Sequence, residues 1–122
     1  MTPFGERLRV LRQERGLSQK DMAKALHVSA AYLSALEHGR RSQPAFPFVQ
    51  RVIGFFNIIW DEAEELQRLA QLSQPRVTVD TAGLDPLATE VANLMARTIR
   101  QLDKKTLTEL KSLLRASERK KR

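Results

Sequence analysis

Apolar residues recur along the chain mostly at intervals of three and four, which is the spacing of one face of an α-helix. In the first segment Phe4, Leu8 and Leu11 follow this spacing, and the pattern stops at Gly16. A threonine and a proline precede it, an order typical of a helix start. These features predict a first helix that begins near residue 3.

The next two helices are predicted to be short and close together. Ser18 stands three residues before Asp21, which is the spacing of a capping box, and Ser29 predicts a second N-cap. The break between the two helices falls at His27–Val28, and Gly39 predicts the end of the second one. Because isolated helices under ~12 residues are marginal, we expect these two to pack on each other and on the first helix.

Two further helices are predicted before residue 73. The fourth is indicated by an apolar stripe at i, i+3, i+4 and i+7, formed by Val49, Val52, Ile53 and Phe56. The fifth is expected to open at a capping box of Asp61 and Glu64 and to end near Leu72.

The last third of the chain predicts a different arrangement. Residues 73–84 contain Arg76–Asp80, which is either a short extended strand or part of a linker. Asp85 and Asp103 then predict the starts of two amphipathic helices, interpreted as a helical hairpin over 85–117 with a basic tail at 118–122. Two helices can hardly bury such apolar stripes alone, so the hairpin is expected either to pack on residues 1–72 or to meet a second copy.

Composition and charge narrow the class of protein. The 122 residues include no cysteine, which excludes disulfides and thiolate metal sites, and carry a formal net charge of +7. Residues 1–60 hold nine basic and four acidic residues, 61–86 two and six, and 87–122 ten and four. Two basic ends around an acidic middle favour contact with a polyanion, the alternative being a solvated surface.

The sequence favours neither a membrane protein nor an enzyme. No apolar stretch approaches the ~18–20 residues that would span a bilayer, and no signal-peptide pattern opens the chain, so a cytoplasmic protein is expected. Glycine-rich phosphate loops and paired catalytic carboxylates are absent. His27 and His38 lack a second ligand pattern, which favours ordinary turn and helix-end residues over a metal site or a pH switch. We therefore expect no enzyme, no cofactor, no metal and no small-molecule ligand.

Residues 19–36 match a helix-turn-helix pattern, with the small Ala23 where two helices approach and Val28 between them. The flanking motifs are Leu11-Arg12-x-x-Arg15-Gly16-Leu17-Ser18-Gln19 and Leu33-Ser34-x-x-Glu37-x-Gly39-Arg40-Arg41. Over roughly residues 3–72 the chain resembles the phage-repressor-like (Cro/CI or Xre-type) helix-turn-helix family of transcriptional regulators. The resemblance implies an all-α, five-helix, lambda-repressor-like DNA-binding domain over residues 1–72, followed by the C-terminal hairpin.

The resemblance also implies roles for individual residues. The third helix would lie in the major groove of double-stranded DNA, with base-facing positions at Ala30, Ala31, Tyr32, Ser34 and Ala35. Phosphate contacts are expected from Gln19, Lys20, Ser29, Arg40 and Arg41, joined by Lys24. Arg12 and Glu37 match a buried structural ion pair. The partner expected besides DNA is a second copy of the chain, since a homodimer matches a palindromic operator.

Two departures from the family pattern affect this interpretation. His27 stands in the turn where glycine is common, so a positive φ at a non-glycine residue is expected. The base-facing positions carry three alanines and few hydrogen-bond donors, which predicts readout by contact with thymine methyls and by DNA shape. The alternative function is a helix-turn-helix module for protein contacts, as in an antitoxin or coactivator, that binds DNA well only with a partner.

Overall fold

The structure is a computed structural model that describes residues 1–40 and 43–120. Within these ranges it contains helices and no β-strand. The elements are α1 (Pro3–Glu14), α2 (Gln19–Ala25), α3 (Ala30–Glu37), α4 (Phe46–Phe55), α5 (Trp60–Gln71), α6 (Pro86–Thr98), a 3₁₀ turn (Ile99–Gln101) and α7 (Lys104–Lys120). The chain divides into two compact units, Met1–Val77 (unit 1) and Thr78–Arg122 (unit 2). The all-α fold class is confirmed.

Hydroxyl side chains start the first three helices. The side chains of Thr2, Ser18 and Ser29 each accept a hydrogen bond from the backbone N–H three residues later, at 3.0–3.1 Å. Each bond satisfies one of the N–H groups that a helix start leaves without a partner. The predicted starts of α1, α2 and α3 are confirmed.

One apolar core holds unit 1 together. Its fully buried members come from α1, α2, α3 and α4, with α5 adding Leu66 and Ala70. The buried hydrophobic residues are Phe4, Leu8, Met22, Ala23, Leu26, Leu33, Leu36, Phe48, Val49, Val52, Phe56, Leu66 and Ala70. α1 approaches α3 so closely that a Cβ at Gly5 would overlap the Leu36 carbonyl.

The end of α5 is tied back to the start of α1. Ser73 is buried, and its hydroxyl accepts a hydrogen bond from the Phe4 N–H at 2.9 Å while donating to the Leu69 carbonyl. Ser73 thus belongs structurally to unit 1, although the sequence places it in the segment after the fifth helix.

The predicted capping box at the start of α5 is wrong. Ile59 occupies the N-cap position without a side-chain cap, and Trp60 is the first helical residue with φ at 55°. Asp61 therefore lies inside the first turn. The spacing of Asp61 and Glu64 fits a capping box, but α5 begins one residue before Asp61, at Trp60, so Asp61 is not at the N-cap position.

Unit 2 contains the two predicted helices but no core. Asp85 and Asp103 accept hydrogen bonds from the N–H groups of Leu87 and Thr106, which starts α6 and α7. No residue of α6 is buried, and the leucines of α7 are exposed or half-buried. The two helices share no extended line of contact, in keeping with the expectation that two helices alone can hardly bury these apolar stripes.

Two predictions for the rest of this region need correction. Residues 76–80 are not a strand, which leaves the linker alternative. α7 continues through Lys120, so residues 118–120 of the predicted basic tail are helical. Residues 121 and 122 lie outside the described residues.

Candidate nucleic-acid interface

The turn between α2 and α3 sets the direction of α3. α2 ends at Ala25 with Leu26 as its C-cap, and His27 takes the left-handed conformation with φ at 61°. The Val28 N–H donates to the Ala23 carbonyl at 3.0 Å, which closes the turn. Histidine tolerates this conformation at moderate strain, so the expected positive φ at this departure from the family pattern is present.

α3 has a buried side and a side lined by small residues. Leu33 and Leu36 are in the core, while Ala30 and Ala31 are exposed and Ala35 is half-buried. Methyl side chains let the helix backbone come close to a flat or grooved surface. This half of α3 can therefore lie near another macromolecule without rearrangement.

Tyr32 lies partly in the core rather than wholly on that surface. Its ring packs edge-on against Phe48 of α4, with ring centroids 5.6 Å apart and an interplanar angle of 84°. Phe48 is not one of the four residues that the sequence analysis assigned to the apolar stripe of α4, although it is buried. A signal for it was present, since Phe48 stands four residues before Val52 on the predicted stripe of α4.

Exposed cations flank α3. Lys20 and Lys24 on α2 are exposed, as is Arg40 just after α3. Arg40 is placed by the left-handed Gly39, with φ at 72°, and its N–H donates to the Ala35 carbonyl at 2.9 Å. Of the residues expected to contact phosphate, Arg41 lies outside the described ranges.

The side chains of Gln19 and Ser29 both form hydrogen bonds within unit 1. The Gln19 side-chain amide donates to Glu37 Oε1 at 3.1 Å, so that the amide group is engaged within unit 1. The Ser29 oxygen accepts from the Tyr32 N–H, which leaves its own hydroxyl hydrogen to donate elsewhere. The phosphate contacts expected from Gln19 and Ser29 stay a prediction, to which the backbone N–H groups at the starts of α2 and α3 can also contribute.

A buried ion pair joins α1 to α3. Arg12 Nε donates to Glu37 Oε2 at 2.8 Å and Arg12 Nη2 to Oε1 at 3.0 Å. The side chain of Glu37 is 0% exposed, and Arg12 also donates from Nη1 to the Leu17 carbonyl at 2.9 Å. Two parallel bonds fix both distance and orientation, so the pair sets how α3 sits on α1.

The histidines show no metal arrangement in the described part of the chain. His38 Nδ1 lies 2.8 Å from the Ser34 carbonyl oxygen one turn earlier in the same helix. Among the described residues no group of three or more His, Cys, Asp or Glu side chains is placed to hold a metal ion. The helices that the structure describes also include none long and apolar enough to cross a membrane.

Comparisons with known proteins agree with this geometry. A family model described as a helix-turn-helix domain matches residues 3–57. The HTH-type transcriptional regulator DdrOP3 of Deinococcus deserti is 49% identical over 53 residues, which are 43% of this chain and 40% of that protein. The HTH-type transcriptional repressor RghR of Bacillus subtilis is 48% identical over 44 residues, 36% of this chain and 33% of that protein.

A longer match extends beyond α4. The HTH-type transcriptional regulator SinR of Bacillus subtilis is 28% identical over 73 residues, 57% of this chain and 66% of that protein. The chain thus spans less than two thirds of the length of each of these relatives. The capped α2–turn–α3 geometry and the matched residues identify unit 1 as carrying an Xre-type helix-turn-helix domain.

Proposed function

We propose that this protein is a double-stranded DNA-binding transcriptional regulator that places α3 in the major groove. The observation that carries the proposal is the exposed alanine surface of α3, flanked by Lys20, Lys24 and Arg40. The major groove of B-DNA admits an α-helix, and the exposed cations on α2 and directly after α3 suit the phosphates that border the groove. Relatives described as transcriptional regulators support the same function.

Sequence readout is expected to be modest. Arginine, asparagine or glutamine at the base edges each supply about 1–3 kcal/mol of discrimination, and the exposed positions Ala30 and Ala31 have no such donors. Tyr32 is half-buried against Phe48, which limits how far its ring reaches. Ala30, Ala31 and Ala35 instead offer methyl groups to thymine methyls, and Ser34 adds a hydroxyl. DNA shape and flexibility then contribute much of the selectivity.

Phosphate contacts supply most of the affinity. Lys20, Lys24 and Arg40 are exposed, and Arg41 follows directly in the sequence. The Ser29 hydroxyl and the first-turn N–H groups of α3 add donors to an anion. Because each neutralised phosphate releases counterions, affinity should fall steeply with salt.

The functional form is a homodimer on a palindromic operator. The apolar residues of α6 and α7 are exposed in the single chain, among them Leu94 and Leu114. A second copy would cover them and bring two α3 helices to two half-sites. Changing both leucines to aspartate should shift the protein to monomer in sedimentation, whereas Leu84→Asp, an exposed linker leucine, should leave self-association unchanged.

The test is selection of bound sites from random duplex DNA at ~150 mM salt, followed by sequencing. A two-fold palindrome with half-sites about 10–11 base pairs apart is the expected result. Arg40→Ala combined with Arg41→Ala should flatten the slope of log K against log salt, and Arg76→Ala combined with Arg97→Ala is the control with the same charge change. Weak binding without any enriched site would reject this function in favour of the partner-dependent helix-turn-helix module.

A further inference from the structure

The segment that joins α4 to α5 has an unusual backbone and an unusual surface. Asn57 and Trp60 both take the left-handed conformation, with φ at 52° and 55°. The side chain of Trp60 is 81% exposed, and that of Ile59, which precedes it, is 64% exposed. We call residues 57–62 the Trp60 segment.

Neither packing nor backbone preference accounts for a tryptophan at this position. A left-handed φ is disfavoured for a large side chain, and an indole ring exposed to water gains no burial. Strained residues cluster at functional sites, and tryptophan is among the residues that dominate binding at protein interfaces. The exposed ring is therefore best explained by something that covers it.

A groove lies beside the segment. It has a volume of about 320 Å³ and is lined by the apolar residues Leu11, Phe56, Ile58 and Ile59 together with the polar residues Glu14, Arg15, Asn57 and Glu62. The volume is at the small end of the ~300–1,000 Å³ of ligand pockets. A groove of this size with both apolar and charged lining residues suits the side chains of an amphipathic segment of another protein.

Charge decides which partner fits. Asp61, Glu62, Glu64 and Glu65 are exposed on the first turns of α5, and a second groove of about 450 Å³ shares Glu62 and adds Arg7. Arg15, at the border of the first groove, is engaged: its guanidinium donates to the Phe56 carbonyl at 3.3 Å and lies over the Phe56 ring. The charged residues that line the two grooves are the acids Glu14, Asp61, Glu62 and Glu65 and the cations Arg7 and Arg15, and Glu65 also pairs with Arg68 on α5. The acids therefore outnumber the cations in the lining of each groove.

This acidic border argues against two occupants. Nucleic acid carries phosphates that the carboxylates repel. A second copy paired through the same surface would place identical acids opposite each other, because a two-fold interface is self-complementary. We propose that the Trp60 segment and its groove bind a protein partner through a cationic amphipathic helix, whose apolar side chains cover Ile59 and Trp60 and whose lysines or arginines face the acids of α5.

The site is placed so that DNA binding and partner binding are compatible. α1 packs against α3 and also against α5, and the groove lies on the side of α1 that faces α5. The exposed alanines of α3 do not line it. The inference does not depend on the proposed function, since the partner helix would bind whether or not the chain binds DNA.

The test uses the single tryptophan of the chain as its own reporter. The full-length protein is titrated with a synthetic helix of ~18 residues that carries a leucine stripe, lysines beside it and no tryptophan. A saturable blue shift of the emission is the expected result, and the same helix with glutamate for lysine should cause none. If the helix causes no blue shift, the proposal is overturned. It is also overturned if concentrating the protein alone, or adding duplex DNA, causes the same shift.

Matched variants locate the contact, with binding followed by the anisotropy of a labelled helix. Trp60→Ala should weaken binding about tenfold or more, whereas Phe46→Ala, which removes an aromatic ring 67% exposed at the start of α4, should not. Asp61→Lys combined with Glu62→Lys should also weaken binding, and Glu90→Lys on α6 should not. Equal effects of Trp60→Ala and Phe46→Ala would reject the site, because the helix would then not distinguish Trp60 from another exposed aromatic ring.

Discussion

Units 1 and 2 are built from the same kind of amphipathic helix, but only unit 1 buries its apolar face. In unit 1 the helices surround side chains such as Leu8, Leu33 and Val52, which are wholly buried. In unit 2 the leucines and valines of α6 and α7 are exposed, apart from the half-buried Leu110. Five helices meeting at different angles can enclose a volume, whereas two helices cannot.

The two units also differ in the side chains that cap their helices and in the ion pairs between helices. Unit 1 uses hydroxyl caps at Thr2, Ser18 and Ser29 and adds a buried ion pair, while unit 2 uses the carboxylates of Asp85 and Asp103. Unit 1 thus buries its apolar side chains within one chain, whereas those of α6 and α7 in unit 2 are left exposed or half-buried. The following variants test this contrast, with unfolding followed by the NMR signals of each unit.

The largest effect is expected from Glu37→Ala. Removal of this carboxylate leaves the largely buried Arg12 guanidinium without its acceptor, and we expect a loss of about 3–5 kcal/mol in the free energy of unfolding of unit 1. Urea titration measures the loss. Glu65→Ala removes a half-exposed partner of Arg68 and should cost about 1 kcal/mol or less; equal losses from the two variants would contradict the assignment.

Next in size is Leu33→Ala, compared with Leu114→Ala. Leu33 is fully buried, so its truncation should destabilise unit 1 by about 2–5 kcal/mol. Leu114 is 58% exposed, and its truncation should change stability by less than about 0.5 kcal/mol in dilute protein. A loss of stability in Leu114→Ala that appears only at high protein concentration would indicate the dimer. A loss of stability that does not depend on concentration would mean that Leu114 is packed within the single chain, which contradicts the difference between the two units.

A smaller effect is expected at the end of unit 1. Ser73→Ala removes the oxygen that accepts from the buried Phe4 N–H, which should cost about 1–3 kcal/mol. Ser117→Ala changes an exposed serine of α7 and should stay within about 0.5 kcal/mol of the parent. Thermal unfolding of the two variants checks the values, and an unchanged midpoint for Ser73→Ala would remove Ser73 from unit 1.

The smallest effect is expected from lowering the pH, which protonates Asp103 at the start of α7. Hydrogen bonds from the Thr106 hydroxyl and then from its backbone N–H hold the pKa of Asp103 below its ordinary value. The pKa in the folded chain is the lower one, so the stabilisation of α7 is present above about pH 4 and is lost as the pH falls through the folded pKa.

Amide chemical shifts in the first turn of α7 measure this loss during an acid titration. Asp103→Asn keeps an acceptor but no titrating group, and its first turn should not respond. The hydroxyl-capped first turn of α3, which contains no acidic residue, should likewise stay unchanged. An acid response of equal size there would contradict the comparison of the two kinds of cap.

Local signals in the sequence predicted the helices well. A cap bonds to an N–H three residues away, so Ser18 and Ser29 predict helix starts without knowledge of the fold. The left-handed turn at His27 and the end of α3 at Gly39 are equally local. The failure at Asp61 shows the limit, because the chain enters α5 through a left-handed Trp60 that no spacing rule indicated.

Contacts between distant residues account for what the sequence missed in the candidate site. Tyr32 meets Phe48 on another helix, and the Gln19 amide meets Glu37. An aromatic residue on an otherwise small-residue face is compatible with base contact or with packing, and a glutamine at a helix start is compatible with phosphate or with a neighbouring carboxylate. The choice depends on which helix lies next to it.

The sequence by itself determined the helical segments, most of their caps, the charge of each region and the helix-turn-helix pattern. Those features depend on interactions within about four residues or on composition alone. Only the tertiary structure decided that Ser73 closes unit 1 on Phe4, that Tyr32 packs on Phe48, and that the leucines of unit 2 and Trp60 remain uncovered. Burial depends on residues brought together from far along the chain, and an amphipathic pattern states that a face is apolar without stating what covers it.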